Sequence, residues 1–279
     1  MATTLAAAFL MLALLCGCEK TAHTTDEGYS LLKEGRLIAV ATLDDPPYEY
    51  LSGSDPDGFG VAVLRELAAR MGLELELKRI DAPNHHEGQV QSLDMLVAAD
   101  ADVALGSFVK GTIDSSDVDY TLPYYEVNYD VVALPDTYGS LEELAETANL
   151  DASGSENSGA KKERLTAVPA AVAVVAGSSA QEFAQTIDGV EVRAMRDASA
   201  CRHALEAGEV RAVVLDSVQA GNVGLAQPDF SLVQRVMVSE RFVLAVSRID
   251  VGLANALSRE LESMRSDGTL ARLESEHLR

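Results

Sequence analysis

LIAVATLDDPPYEY, residues 37–50, decides how the chain is read. Its first half, Leu37–Leu43, is an apolar and β-branched run with the composition of a buried strand. Its second half puts Asp44, Asp45, Pro46, Pro47 and two tyrosines where that strand ends. Proline fixes φ and lacks an amide hydrogen, so the strand must stop there and pass into a stiff loop. Loops at the carboxyl ends of strands are where open α/β sheets hold ligands.

Downstream, strand-like and helix-like segments alternate, which predicts α/β architecture with largely parallel strands. In GFGVAVLRELAARMG, residues 58–72, Val63, Leu64, Leu67, Ala68 and Met71 recur at helical spacing and Gly72 supplies a stop. Leu73–Lys78 alternates as a half-buried strand. A second helix is predicted over about residues 90–99, with Val90, Leu93, Leu96 and Val97 on one face, before the strand DVALGSF. Tyr129–Leu134 reads as a strand, and SLEELAETA as a helix capped by Ser140 with Glu143 at capping-box spacing. Residues 151–164, rich in Gly, Ser and charge, read as an exposed loop. The strand AVAVVAG, a helix from about Ser178, VEVRAM, the helix ASACRHALEAG and VRAVVLD repeat the alternation and predict a second sheet. RFVLAVS, residues 241–247, is a further strand, and two helical stretches split at Gly268 close the chain.

With 279 residues and 47% apolar content the chain can bury a large core. A formal charge of −22 argues against nucleic acid or anionic lipid as partners, since both are repelled. The uncharged apolar run Leu5–Leu15 is short for a bilayer span and suits the core of a signal peptide. No Lys or Arg precedes it. LCGC, residues 15–18, resembles a bacterial lipoprotein signal, which implies lipidation of Cys18 and removal of residues 1–17. Residues 18–34 are polar and read as a flexible tether. Cys201 would then be the one thiol of the folded part, on the apolar face of its helix with Ala204 and Leu205. His85, His86 and Glu87 are adjacent and diverge, so no metal site is expected from that run.

Several of these segments, in this order, resemble the family 3 extracellular solute-binding proteins, the amino-acid receptors of ABC importers. EGRLIAVAT with PPYEY looks like the opening strand and ligand loop, and DGFGVAVLRELAARMG like the first helix. VDYTLPYYE resembles the segment before the hinge, VVAGSSAQEF a second ligand loop, and EVRAVVLDS and SDGTLARL also match. The resemblance implies an α/β, two-lobe, periplasmic-binding-protein-like (type II) fold with a hinge and a ligand cleft between the lobes. Lobe one would comprise residues 35–133 and 238–279, and lobe two residues 134–237.

Members of this family pair an amino acid's carboxylate with an arginine and its ammonium with an aspartate, since a desolvated zwitterion needs both charges answered. The aspartate carries over to Asp216, where N-capping is the simpler role and compatible with binding. Ser178 and Ser179, at a helix start, would face an anionic group or merely cap. The arginine's position holds Asp114, and Asp45 stands where relatives place an aromatic, with Thr42 where an acid is expected. Tyr48 and Ser107 complete the expected contacts. Convergence of Asp45, Asp114 and Asp216 would favour a cationic ligand.

The expectation is thus an exported, lipid-anchored, monomeric receptor that binds an amino acid or related solute without cofactor or metal and delivers it to a membrane permease. It would do no chemistry. The alternatives are a sensor subunit for a membrane receptor and a cyclohexadienyl-dehydratase-like enzyme with Asp114 as general acid.

Overall fold

The computed structural model describes residues 23–25, 28–110, 116–153, 170–248 and 251–278. The leader, Cys18, and Asp114 lie outside them. Strands β1 (His23–Thr24) and β2 (Ser30–Leu31) pair with each other, and Tyr29 and Leu31 are buried. The end of the expected tether is therefore packed, because these two apolar side chains find the core even though their neighbours are polar.

The opening run forms β3 (Arg36–Ala41), whose side chains from Leu37 onward are buried on both faces. The proline loop after it is itself a small antiparallel sheet of β4 (Asp44–Asp45), β5 (Glu49–Ser52) and β6 (Asp55–Asp57). Helix α1 (Phe59–Arg70) follows Gly58, whose φ of 111° favours glycine and where a Cβ would lie 2.5 Å from the Tyr48 carbonyl oxygen. Strand β7 (Glu74–Arg79) then returns to the sheet edge beside β3.

Helix α2 spans His85–Val97, starting earlier than the apolar pattern indicated because Asn84 accepts from the Glu87 amide as N-cap. Its inward face is also different. Gln89, Ser92, Leu93 and Leu96 are buried, while Val90 and Val97 are exposed. Two polar side chains displaced the apolar ones because both have partners inside: Gln89 donates to the Gly106 carbonyl and Ser92 to that of Gly88.

Strands β8 (Val103–Val109), β9 (Val118–Tyr120) and β10 (Tyr125–Ala133) lead into α3 (Leu141–Ser153). Ser140 accepts from the Glu143 amide as expected. The helix continues to Ser153, past the start of the predicted loop. The second half of the chain contributes β11 (Ala171–Val175), α4 (Ser179–Ala184), β12 (Glu191–Met195), α5 (Ala198–Glu206), β13 (Ala212–Asp216) and α6 (Ser217–Asn222). Cys201 is buried on α5, and burial pushes its thiol up to about 12.

Strand β14 (Ser231–Ser247) is 17 residues long, where only residues 241–247 were expected. It pairs antiparallel with β10 along its first part and with β8 and β9 along its last. The polar residues of its first part hid it, because Gln234 and Arg235 interrupt the apolar pattern. As a result the predicted second sheet is one end of a continuous mixed sheet, ordered β12-β11-β13-β10-β14-β8-β3-β7. Helices α7 (Val251–Ser266) and α8 (Thr269–His277) pack back against α1 at the other end, and Arg70 of α1 pairs with Asp267 between them.

Candidate functional site

The carboxyl ends of β3 and β13 belong to opposite ends of this sheet, yet the residues that follow them meet. Tyr48, fully buried, donates its hydroxyl to Oδ1 of Asp216 at 2.8 Å. The same oxygen accepts the amides of Val218 and Gln219, so Asp216 caps α6 and receives Tyr48 at once. Gln219, one turn into α6, donates through Nε2 to Asp45 Oδ1. Gly177, before α4, faces α2, and a Cβ there would lie 2.1 Å from the Cβ of His86.

These contacts enclose a cavity of about 50 Å³. Asp45, His85, Gln89 and Ser107 line one wall, and Gly177, Ser178, Ser179, Asp216 and Gln219 the other. Sites for organic solutes usually measure about 300–1,000 Å³, so a solute of amino-acid size requires these walls to part before it can enter.

Of the residues expected from sequence, Asp45, Ser107, Ser178, Ser179 and Asp216 line the cavity, and Tyr48 lies behind it on Asp216. Thr42 does not line it. Its hydroxyl donates to Asp44 and its methyl packs where a Cβ on Gly88 would stand, so it seats α2 rather than meeting a ligand. The two serines are internally engaged: Ser178 Oγ donates to the Val175 carbonyl at 2.7 Å, and Ser179 Oγ accepts from the Tyr129 hydroxyl. His85, Gln89, Gln219 and Gly177 were missed. Only the glycine before Ser178 left a local trace in the sequence.

Burial dominates the electrostatics. It pushes the Asp216 carboxyl up to about 7 against the pull of the Gln219 and Val218 amides and the Tyr48 hydroxyl, with the charge of Asp45 adding to the rise. Burial, then the charge of Asp45, raises Glu49 well above the carboxylate range. Asp45 is also raised by burial, although His85 and Ser107 oppose it. Burial disfavours the charged imidazole of His85, yet Asp45, Asp44 and Glu49 outweigh it and hold it protonated to about 9.

Residues 38–279 match the family model of bacterial extracellular solute-binding proteins, family 3. The chain belongs to that family. Solved structures place this family 3 protein in the two-lobe type II periplasmic-binding fold. A mutant of ArgBP from T. maritima superposes with a TM-score of 0.63 at 22% identity, over 87% of this chain and 95% of that one. An ancestral arginine-binding protein bound to arginine gives 0.65 at 21%, over 88% and 99%. The ancestral amino acid-binding protein AncCDT-1, a precursor of cyclohexadienyl dehydratase, gives 0.65 at 18%, over 88% and 96%. No curated protein matches the chain. Among the described residues of this family 3 protein no helix is long and apolar enough to cross a membrane.

Proposed function

We propose that this solute-binding protein captures a small polar solute bearing an ammonium or guanidinium group between its lobes and delivers it to an ABC permease. One observation carries the choice of solute. The carboxylates of Asp45 and Asp216 face one cavity from opposite walls, and the one cationic side chain among the described residues that line it, His85, lies beside Asp45 and leaves Asp216 without an opposite charge. A buried carboxylate is stabilised by an opposite charge, so a cation is the complementary guest. Asp216 takes the positive group, and closure of residues 35–133 and 238–279 against 134–237 around the hinge traps it. Export followed by lipidation at Cys18 keeps the monomeric receptor at the membrane face beside its permease, and no catalytic step is involved.

Thermal-shift screening against basic amino acids, polyamines, zwitterionic amino acids and organic acids tests this, since a ligand of the folded state raises the midpoint by mass action. Cationic solutes are expected to give the largest shifts. Equal shifts for cationic and zwitterionic compounds would overturn the choice of solute, and turnover of a cyclohexadienyl acid would replace the receptor with an enzyme.

A further inference from the structure

One cluster on the first wall shares Asp45 with this solute reading and adds two groups that it does not use, Glu49 and His85. A ligand atom from each of Asp45, Glu49 and His85 lies within 4.8 Å of the other two. Oδ2 of Asp45 is 3.9 Å from Nε2 of His85. Glu49 is fully buried, and its Oε1 has no hydrogen-bond partner, while Oε2 has only Ser107 Oγ at 3.5 Å. An oxygen buried without a donor costs about 1–3 kcal/mol, so this one needs a partner of another kind.

We propose that Asp45, Glu49 and His85 form a binding site for one divalent transition-metal ion of the Zn²⁺ type. Two carboxylates and one imidazole suit Zn²⁺ or Mn²⁺ rather than a soft ion. The surroundings orient the imidazole for this role. Asp44 Oδ1 lies 3.4 Å from Nδ1 of His85 and accepts its hydrogen, so the metal takes Nε2 by displacing that nitrogen's proton to solvent. The Gly106 carbonyl, 3.1 Å from Nε2, keeps Gln89 as its donor when the imidazole turns to an ion. Metal bonds of about 2.0–2.2 Å require the three groups to draw together, and each sits on a short hairpin or a first helical turn that permits it. Asp45 and His85 line the cavity, so the remaining coordination positions face the cleft and take water or a solute oxygen. The run HHE gave no hint of this because the other two ligands come from the proline loop.

Calorimetric titration of the chelator-stripped protein with ZnCl2 tests the site. One equivalent of Zn²⁺ is expected, weakened about 100-fold by His85→Ala and at least about 10-fold by Glu49→Gln and, through the imidazole's orientation, by Asp44→Asn. Glu49→Gln keeps the shape of the side chain, so it separates ligation from folding. A Co²⁺-loaded sample is expected to absorb without thiolate charge transfer. No Zn²⁺ uptake, full affinity in Glu49→Gln and His85→Ala, or a cysteine-type Co²⁺ spectrum would overturn the site. Solute-induced stabilisation measured in chelator is independent of it, so either conclusion can fail while the other stands.

Discussion

Tyr48 and Asp216, 168 residues apart in sequence, share a 2.8 Å hydrogen bond that joins the loop after β3 to the cap of α6. The group expected to hold a solute's positive charge therefore also holds the two walls together. Tyr48→Phe removes this tie while leaving the buried ring in place. It is expected to lower stability by about 1–2 kcal/mol. Without added solute it should also raise the fraction of open molecules, seen as a larger radius of gyration in solution scattering.

Asp216→Asn separates binding from capping. Asparagine caps helices nearly as well as aspartate, so the thermal midpoint is expected to change little. Loss of the buried charge opposite a solute cation should weaken cationic solutes by about 100-fold or more in calorimetry. Equal losses of stability and affinity would show that Asp216 acts only as a cap.

Solute affinity should depend on pH through Asp216. Its carboxyl titrates at about 7 against an ordinary 3.8, in surroundings that include Tyr48, Tyr125 and Asp45. A bound ammonium favours the ionised form, so capture releases a proton wherever the free protein holds one. Affinity is expected to fall about tenfold per unit as pH drops below 7, and to be flat above it as far as this group is concerned. Asp216→Asn should abolish that component, and titrations in buffers of different ionisation enthalpy measure the proton directly.

Gly177→Ala tests closure. The residue has φ of 73°, where alanine is strained by about 1–2 kcal/mol, and the new methyl would lie 2.1 Å from the Cβ of His86. Each lobe is expected to remain folded, with solute affinity reduced at least about tenfold because the closed arrangement is blocked. Wild-type affinity would mean that solute binds without this contact.

Asp130 on β10 accepts from Arg235 Nε and Nη2 at 2.7 and 2.8 Å and from the Ser217 hydroxyl at 2.9 Å, and it is buried. Asp130→Ala strips three donors of their acceptor where β10, β13 and β14 lie side by side. A loss of about 2 kcal/mol is expected in denaturant unfolding.

Features set by a few neighbouring residues are legible in the sequence. The strand before the prolines, the cap at Ser140, the buried Cys201 and the break at Gly268 each depend on a few neighbouring residues, and the structure has all four. What escaped depends on distant parts of the chain. Gln89 and Ser92 face inward because carbonyls wait for them there, which no periodicity of α2 can encode. The first part of β14 escaped because it is half exposed, so its polar residues look like loop. In the cleft, Asp45 stood out by type, whereas Gln219 and His85 acquire their positions only once the proline loop folds against α2 and α6.

Strand β14 is the last strand to be synthesised and yet lies between β10 and β8 in the sheet. Until residue 247 has been made, both of its neighbours have an open edge, of the kind that pairs with other chains. The fold therefore cannot be completed piecemeal as the chain emerges. A polypeptide built this way stays unfinished until nearly its whole length is available, which leaves those two edges unpaired for most of the time the chain takes to be made and suits passage through a membrane before folding.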